Sequence, residues 1–147
     1  MSRVLVLAVG NPLRSDDGLA CHVADELRRN NLPPDVEIIT VHQLAPELAE
    51  NASSADLVIF VDASSLGEPG VLSCERIAPA PAESGSSHHF SPKALLELTA
   101  TLYGRAPAAY LVSIAGRNFD HGELLSPEVS KAIPDLVVKM RELIRGG

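Results

Sequence analysis

VLVLAVGNPLRSDDG, residues 4–18, changes character part-way along. Its first six residues are apolar without a break, which marks a strand covered on both faces rather than one half exposed to water. Asn11-Pro12 then favours a turn, and two carboxylates stand side by side at Asp16 and Asp17. Adjacent acids repel one another and gain nothing from burial, so they need either water or a positive partner. From Asp17 onward the period changes. Leu19, Val23 and Leu27 recur every four residues, with Ala20 and Ala24 beside them and Asp25, Glu26, Arg28 and Arg29 elsewhere, so an amphipathic helix follows.

The same alternation continues outward. Asn30-Asn31 and Pro33-Pro34 end the helix, 36–41 reads as a second strand, and 44–50 as a short helix with Pro46 near its start. Residues 57–61 (LVIFV) form a third buried strand that ends at Asp62, and 71–77 a less regular one. APAPAESGSS is a loop long enough to be mobile. Ser91-Pro92 is a helix start, serine capping and proline at the first helical position. Another strand covers 109–114, and Ser126-Pro127 repeats the start signal before a last helix that Pro134 should kink or split. Strands alternating with helices point to an α/β sandwich with a mostly parallel sheet, in one domain over 1–147.

Composition narrows the function. A formal charge of −7 leaves no Lys/Arg cluster to neutralise a run of phosphates, which argues against nucleic acid and against a membrane surface. Apolar runs of this length are far short of the roughly 20 residues of a spanning helix, and the N-terminus lacks a signal-peptide core, so a cytoplasmic protein is expected. Cys21 and Cys74 form no CxxC pair and suggest neither a disulfide framework nor structural zinc. With no tryptophan and 3% aromatics, base- or sugar-stacking platforms are not expected.

In a sheet of this kind ligands bind outside the carboxyl ends of the strands, where strand order reverses around a central first strand. Asp16 and Asp17 follow the first strand and Asp62 closes the third, so Asp17 and Asp62 should reach the same crevice. Acids gathered there make a cation the natural resident. Asp16 has a second reading as a cap of the helix that follows. His88 and His89 stand just before a helix start, and imidazole suits nickel, zinc and copper where carboxylate alone suits harder ions. Two carboxylates and one imidazole from three loops would form a partial coordination site. His22, His42 and His121 read as ordinary. HExxH, GxSxG, GxGxxG and GxxxxGK[ST] are all missing from the sequence.

GNPLRSDDG after an N-terminal strand, VIFVDAS with Asp62, SSHHFSPKALLEL, and the late YLVSIAGRNFDHGELLSPEVSKAI together resemble the hydrogenase maturation endopeptidases over essentially the whole chain. The first motif in its strand–helix context is specific; the histidine motif alone would be weak. One departure is Ala20, where that family often has a glycine soon after DDG. The resemblance implies a three-layer α/β/α sandwich with a mostly parallel twisted sheet. It implies a protease that trims the C-terminal extension from the precursor of a nickel–iron hydrogenase large subunit after nickel insertion. It also implies an Asp/Asp/His triad that recognises the metal. Carried over, the triad is Asp17, Asp62 and His88, with His88 preferred to His89 by its spacing from Leu95 and Leu96. Asn11 and Asp16 then hold turn-shaping and helix-start positions.

No serine, cysteine or threonine nucleophile stands with an obvious base, so hydrolysis would use water and a metal. That metal would be nickel carried by the substrate precursor, with no tightly bound organic cofactor. Either carboxylate could act as general base. The alternatives are a receiver-type magnesium-binding signalling domain and a flavin- or nucleotide-binding module. The first lacks the lysine expected near Gly116-Arg117. In the second, Asp16 and Asp17 would repel phosphate at a helix N-terminus.

Overall fold

The computed structural model describes residues 2–81 and 90–146. Five strands form one sheet in the order β2-β1-β3-β5-β4, with β1 Val4–Val9, β2 Val36–Val41, β3 Leu57–Ser64, β4 Leu72–Ile77 and β5 Ala108–Ala115. β1, β2, β3 and β5 are parallel, and β4 runs antiparallel along the outer side of β5. β1 therefore has β2 on one side and β3 on the other, as expected from the sequence, and the strand order reverses at its carboxyl end.

Alternation along the strands builds two apolar layers. Val4, Val6 and Ala8 of β1, with Leu57, Ile59 and Val61 of β3, pack against α1 (Leu19–Arg29) and α4 (Pro127–Gly146). Leu5 and Leu7, with Val58 and Phe60, face α2 (Leu48–Ser53) and α3 (Pro92–Tyr103). The unbroken apolar run of β1 is thus explained by helices on both faces, and each fully buried leucine in it contributes about 1.5–3 kcal/mol. The result is a three-layer α/β/α sandwich. Among the described residues no helix is long and apolar enough to cross a membrane.

Three local expectations are corrected. β3 does not stop at Asp62 but pairs with β5 through Ser64↔Ala115, so Asp62 lies within the strand. The helix expected over 44–50 begins later, at Leu48, because Pro46 sits in a tighter turn whose bonds run Leu48 N–H to Ala45 O (3.1 Å) and Ala49 N–H to Pro46 O (3.0 Å). α4 is not split at Pro134 but runs unbroken from Pro127 to Gly146. Proline removes the bond to the carbonyl of Ser130, yet both residues are exposed, so water can take that carbonyl while Leu136, Val137, Met140 and Ile144 stay buried on the other side.

Candidate active site

The loop after β1 is folded tightly on itself, and its terminal glycines show why. Gly10 has φ +152°, and a Cβ there would lie 1.9 Å from the carbonyl oxygen of Asp17. A Cβ at Gly18 would lie 2.8 Å from the Cα of Pro12. Between them Asn11 makes an Asx turn, its Oδ1 accepting from Leu13 N–H at 2.9 Å. Ser15 is buried with φ +52°, a left-handed conformation costly for a non-glycine residue. It is held there by its N–H to Gly122 O (2.7 Å) and its hydroxyl to Asp120 O (2.8 Å).

That turn sends the two neighbouring carboxylates in opposite directions. Asp16 is 0% exposed and does not cap α1, whose cap residue Gly18 offers no side-chain bond. Its Oδ2 accepts from the N–H groups of Arg117 (2.7 Å) and Asn118 (3.0 Å) and from the Ser126 hydroxyl (2.8 Å), and its Oδ1 from Ser126 N–H (2.7 Å). Burial alone would push this carboxyl up, but the four donors together outweigh it and hold it below its ordinary value. The reading of Asp16 as a cap of α1 is therefore corrected, although the residue does lie in the short 3-10 turn Ser15–Gly18 that leads into that helix. It organises the loop after β5, and through Ser126, whose Oγ also accepts from Val129 N–H at 3.4 Å, the start of α4 rather than of α1.

Asp17 turns toward the sheet end. Its Oδ2 accepts from Asn11 N–H at 2.8 Å. Asp62 follows Val58 and Phe60 on one face of β3, and its Oδ1 accepts from Ala63 N–H at 2.7 Å. Both acids line a cleft of about 660 Å³ at the carboxyl ends of β1, β2 and β3. Burial pushes the Asp62 carboxyl up to about 7, offset in part by the Ala63 N–H bond and reinforced by the negative charge of Asp17. Two carboxylates in one cleft, one of them reluctant to ionise, favour the arrival of a cation.

The histidine of the expected triad, His88, and its neighbour His89 lie outside the described residues. Among the described residues no group of three or more His, Cys, Asp and Glu side chains is placed to hold a metal ion. The cleft wall does contain residues that sequence reasoning did not assign to a site: Arg14, His42, Gln43, Phe90 and Phe119. His42 follows directly on β2, where Val41 O accepts from Gly10 N–H at 2.9 Å. Its position one residue past a strand next to β1 was the available signal. Arg117 stands near the end of β5, but its guanidinium pairs with Glu128 at the start of α4.

The chain matches the hydrogenase maturation protease family over residues 21–142, a span that includes Asp62 and begins beyond the GNPLRSDDG loop. A curated relative from Methanocaldococcus jannaschii, provisionally named a hydrogenase maturation protease, is 26% identical over 88% of each chain. The solved hydrogenase maturating endopeptidase HybD of E. coli superposes with a TM-score of 0.81 at 24% identity, covering 98% of this chain and 93% of its own. The nickel–iron hydrogenase maturation protease HybD of Thermococcus kodakarensis has a TM-score of 0.72 at 25% identity, covering 97% and 99%.

Proposed function

The chain belongs to the hydrogenase maturation protease family, and from that premise we propose that it removes the C-terminal extension of a nickel–iron hydrogenase large-subunit precursor once nickel has been inserted. The observation that carries this reading is the convergence of Asp17, from the loop after β1, and Asp62, from within β3, on one cleft, with no cationic partner assigned to either by hydrogen bonding or ion pairing among the described residues.

Nickel arrives here as part of the substrate. Its Lewis acidity would polarise the peptide carbonyl or activate water. The chain supplies charge and orientation. Asp17 is fixed by Asn11 N–H through Oδ2, so its other oxygen is directed by a rigid turn rather than by a free rotamer. Burial and the neighbouring charge of Asp17 make Asp62 resist ionisation, and a cation brought beside it would draw it into the carboxylate form. His88 adds a borderline donor. A precursor without nickel would bring no charge to draw Asp62 into its ionised form beside Asp17, which gives discrimination a physical basis. One of the acids, with its proton-accepting oxygen toward the bound water, serves as general base. The receiver-type and nucleotide-binding alternatives give way to the family match.

The test follows loss of the C-terminal peptide by mass, using a nickel-loaded large-subunit precursor. Wild-type protein should cut it, and Asp17→Asn and Asp62→Asn should each lower kcat/KM by at least about a hundredfold. Full activity in both variants would contradict the assignment.

A further inference from the structure

Asp62 stands where two grooves meet. Beyond the cleft that holds Asp17, a second groove of about 510 Å³ opens on its other side, and the two share Asp62, Ala63 and Ser65. The floor of this groove follows from strand register. Asp62 on β3 pairs with Ser113 on β5, which pairs in turn with Ser73 on β4, and Leu111 pairs with Glu75. These side chains share the sheet face that α2 and α3 cover further along. Ile77, next in alternation on β4, is buried, whereas Ser73 and Glu75 are exposed.

The rim is the loop between β3 and β4. Leu66 is 80% exposed and Val71 52% exposed, yet neither is held loosely. Leu66 N–H donates to Ser64 Oγ (3.1 Å), Val71 N–H to Glu68 O (3.1 Å), and Gly70 N–H to Ala115 O (2.8 Å). Ala115 N–H returns a bond to Val71 O at 3.0 Å. Exposed apolar side chains carried on a hydrogen-bonded loop at the mouth of a groove suit a contact surface. Glu68 and Glu75 line the same groove, and neither forms an ion pair with a described residue.

We propose that this second groove binds the C-terminal extension of the precursor as it leaves the scissile bond at Asp62. The extension lies in extended form, an apolar side chain against Leu66, Val71 and Leu111 and a basic one facing Glu68 and Glu75. The inference rests on the endopeptidase reading: an enzyme that cuts within a chain holds the polypeptide on both sides of the bond. The cleft with Asp17 and His42 offers donors for the metal-bearing side, which leaves this groove for the other arm. Its volume falls in the range of about 300–1,000 Å³ typical of ligand sites, and its loop is already ordered, so little conformational entropy is lost on binding.

Two nickel-loaded precursors test it, identical except that the first few positions after the cut carry lysine in one and glutamate in the other. Wild-type protein should cut the lysine form with a KM about tenfold lower and a similar kcat, the signature of binding used equally in ground and transition states. Glu68→Lys with Glu75→Lys should reverse that preference while leaving the melting temperature unchanged, since both side chains are exposed. Equal KM values for the two precursors in wild type, or an unreversed preference in the double variant, would overturn the groove assignment while leaving the endopeptidase reading standing. Wild-type protein that cuts neither precursor would remove both.

Discussion

Ser126 gives its backbone N–H (2.7 Å, to Oδ1) and its hydroxyl (2.8 Å, to Oδ2) to the carboxylate of Asp16, 110 residues earlier in the chain. The conspicuous acid pair of the sequence is therefore a division of labour. Asp16 ties the loop after β1 to the loop after β5, and Asp17, freed from that duty, faces the cleft.

Asp16→Asn should destabilise the protein by about 3 kcal/mol, because an amide nitrogen or a lost acceptor is placed among buried N–H donors. The cost should depend on pH. A carboxyl whose folded pKa lies below its unfolded value adds stability that is fully present above the ordinary carboxylate range and is lost as pH falls through the folded value. Urea unfolding of wild type and variant should therefore differ most at neutral pH, with the difference beginning to shrink only as pH falls below about 4.

Asp62→Asn should do the opposite. Its carboxyl is raised to about 7, so wild type loses stability as pH climbs from the ordinary carboxylate value to the folded one, and no further above it. The asparagine variant escapes this loss. At pH 8 it should be more stable than wild type by about 2–4 kcal/mol, with the two curves meeting below about pH 4. A variant more stable yet inactive is the expected signature of a strained functional group.

Gly10→Ala should cost at least about 3 kcal/mol or prevent folding, since its methyl would sit 1.9 Å from the Asp17 carbonyl oxygen on a backbone with positive φ. Soluble yield and a thermal melt by circular dichroism report this directly. An unperturbed melt would mean that the loop can open without loss.

Among the histidines, His88→Ala should lower kcat/KM at least about a hundredfold and His89→Ala no more than about threefold. The reverse order would transfer the role to His89.

Much of this was legible before any coordinates. The switch from an unbroken apolar run at 4–9 to a four-residue period from Leu19 located β1 and α1, and with them the carboxyl-end crevice. Ser91 caps α3 as its sequence suggested, its Oγ accepting from Ala94 N–H at 3.1 Å. What stayed hidden depended on contacts distant in sequence. The donors that bury Asp16 lie more than a hundred residues away, and no local pattern reveals them. The extension of β3 past Asp62 is a consequence of pairing with β5, which rescues Ala63 and Ser64 from a turn. His42 looked ordinary because its only distinction is where β2 ends relative to β1. The groove shared by β3, β4 and β5 exists because β4 joins the sheet antiparallel beside β5, a pairing that periodicity does not encode.

The central claim is that the substrate's own nickel completes an acidic cleft built around Asp17 and Asp62. It is tested most directly by incubating the protein with nickel-loaded and nickel-free forms of one large-subunit precursor and following release of the C-terminal peptide by mass. Cleavage confined to the nickel-loaded form is the expected result; equal cleavage of both forms would contradict it.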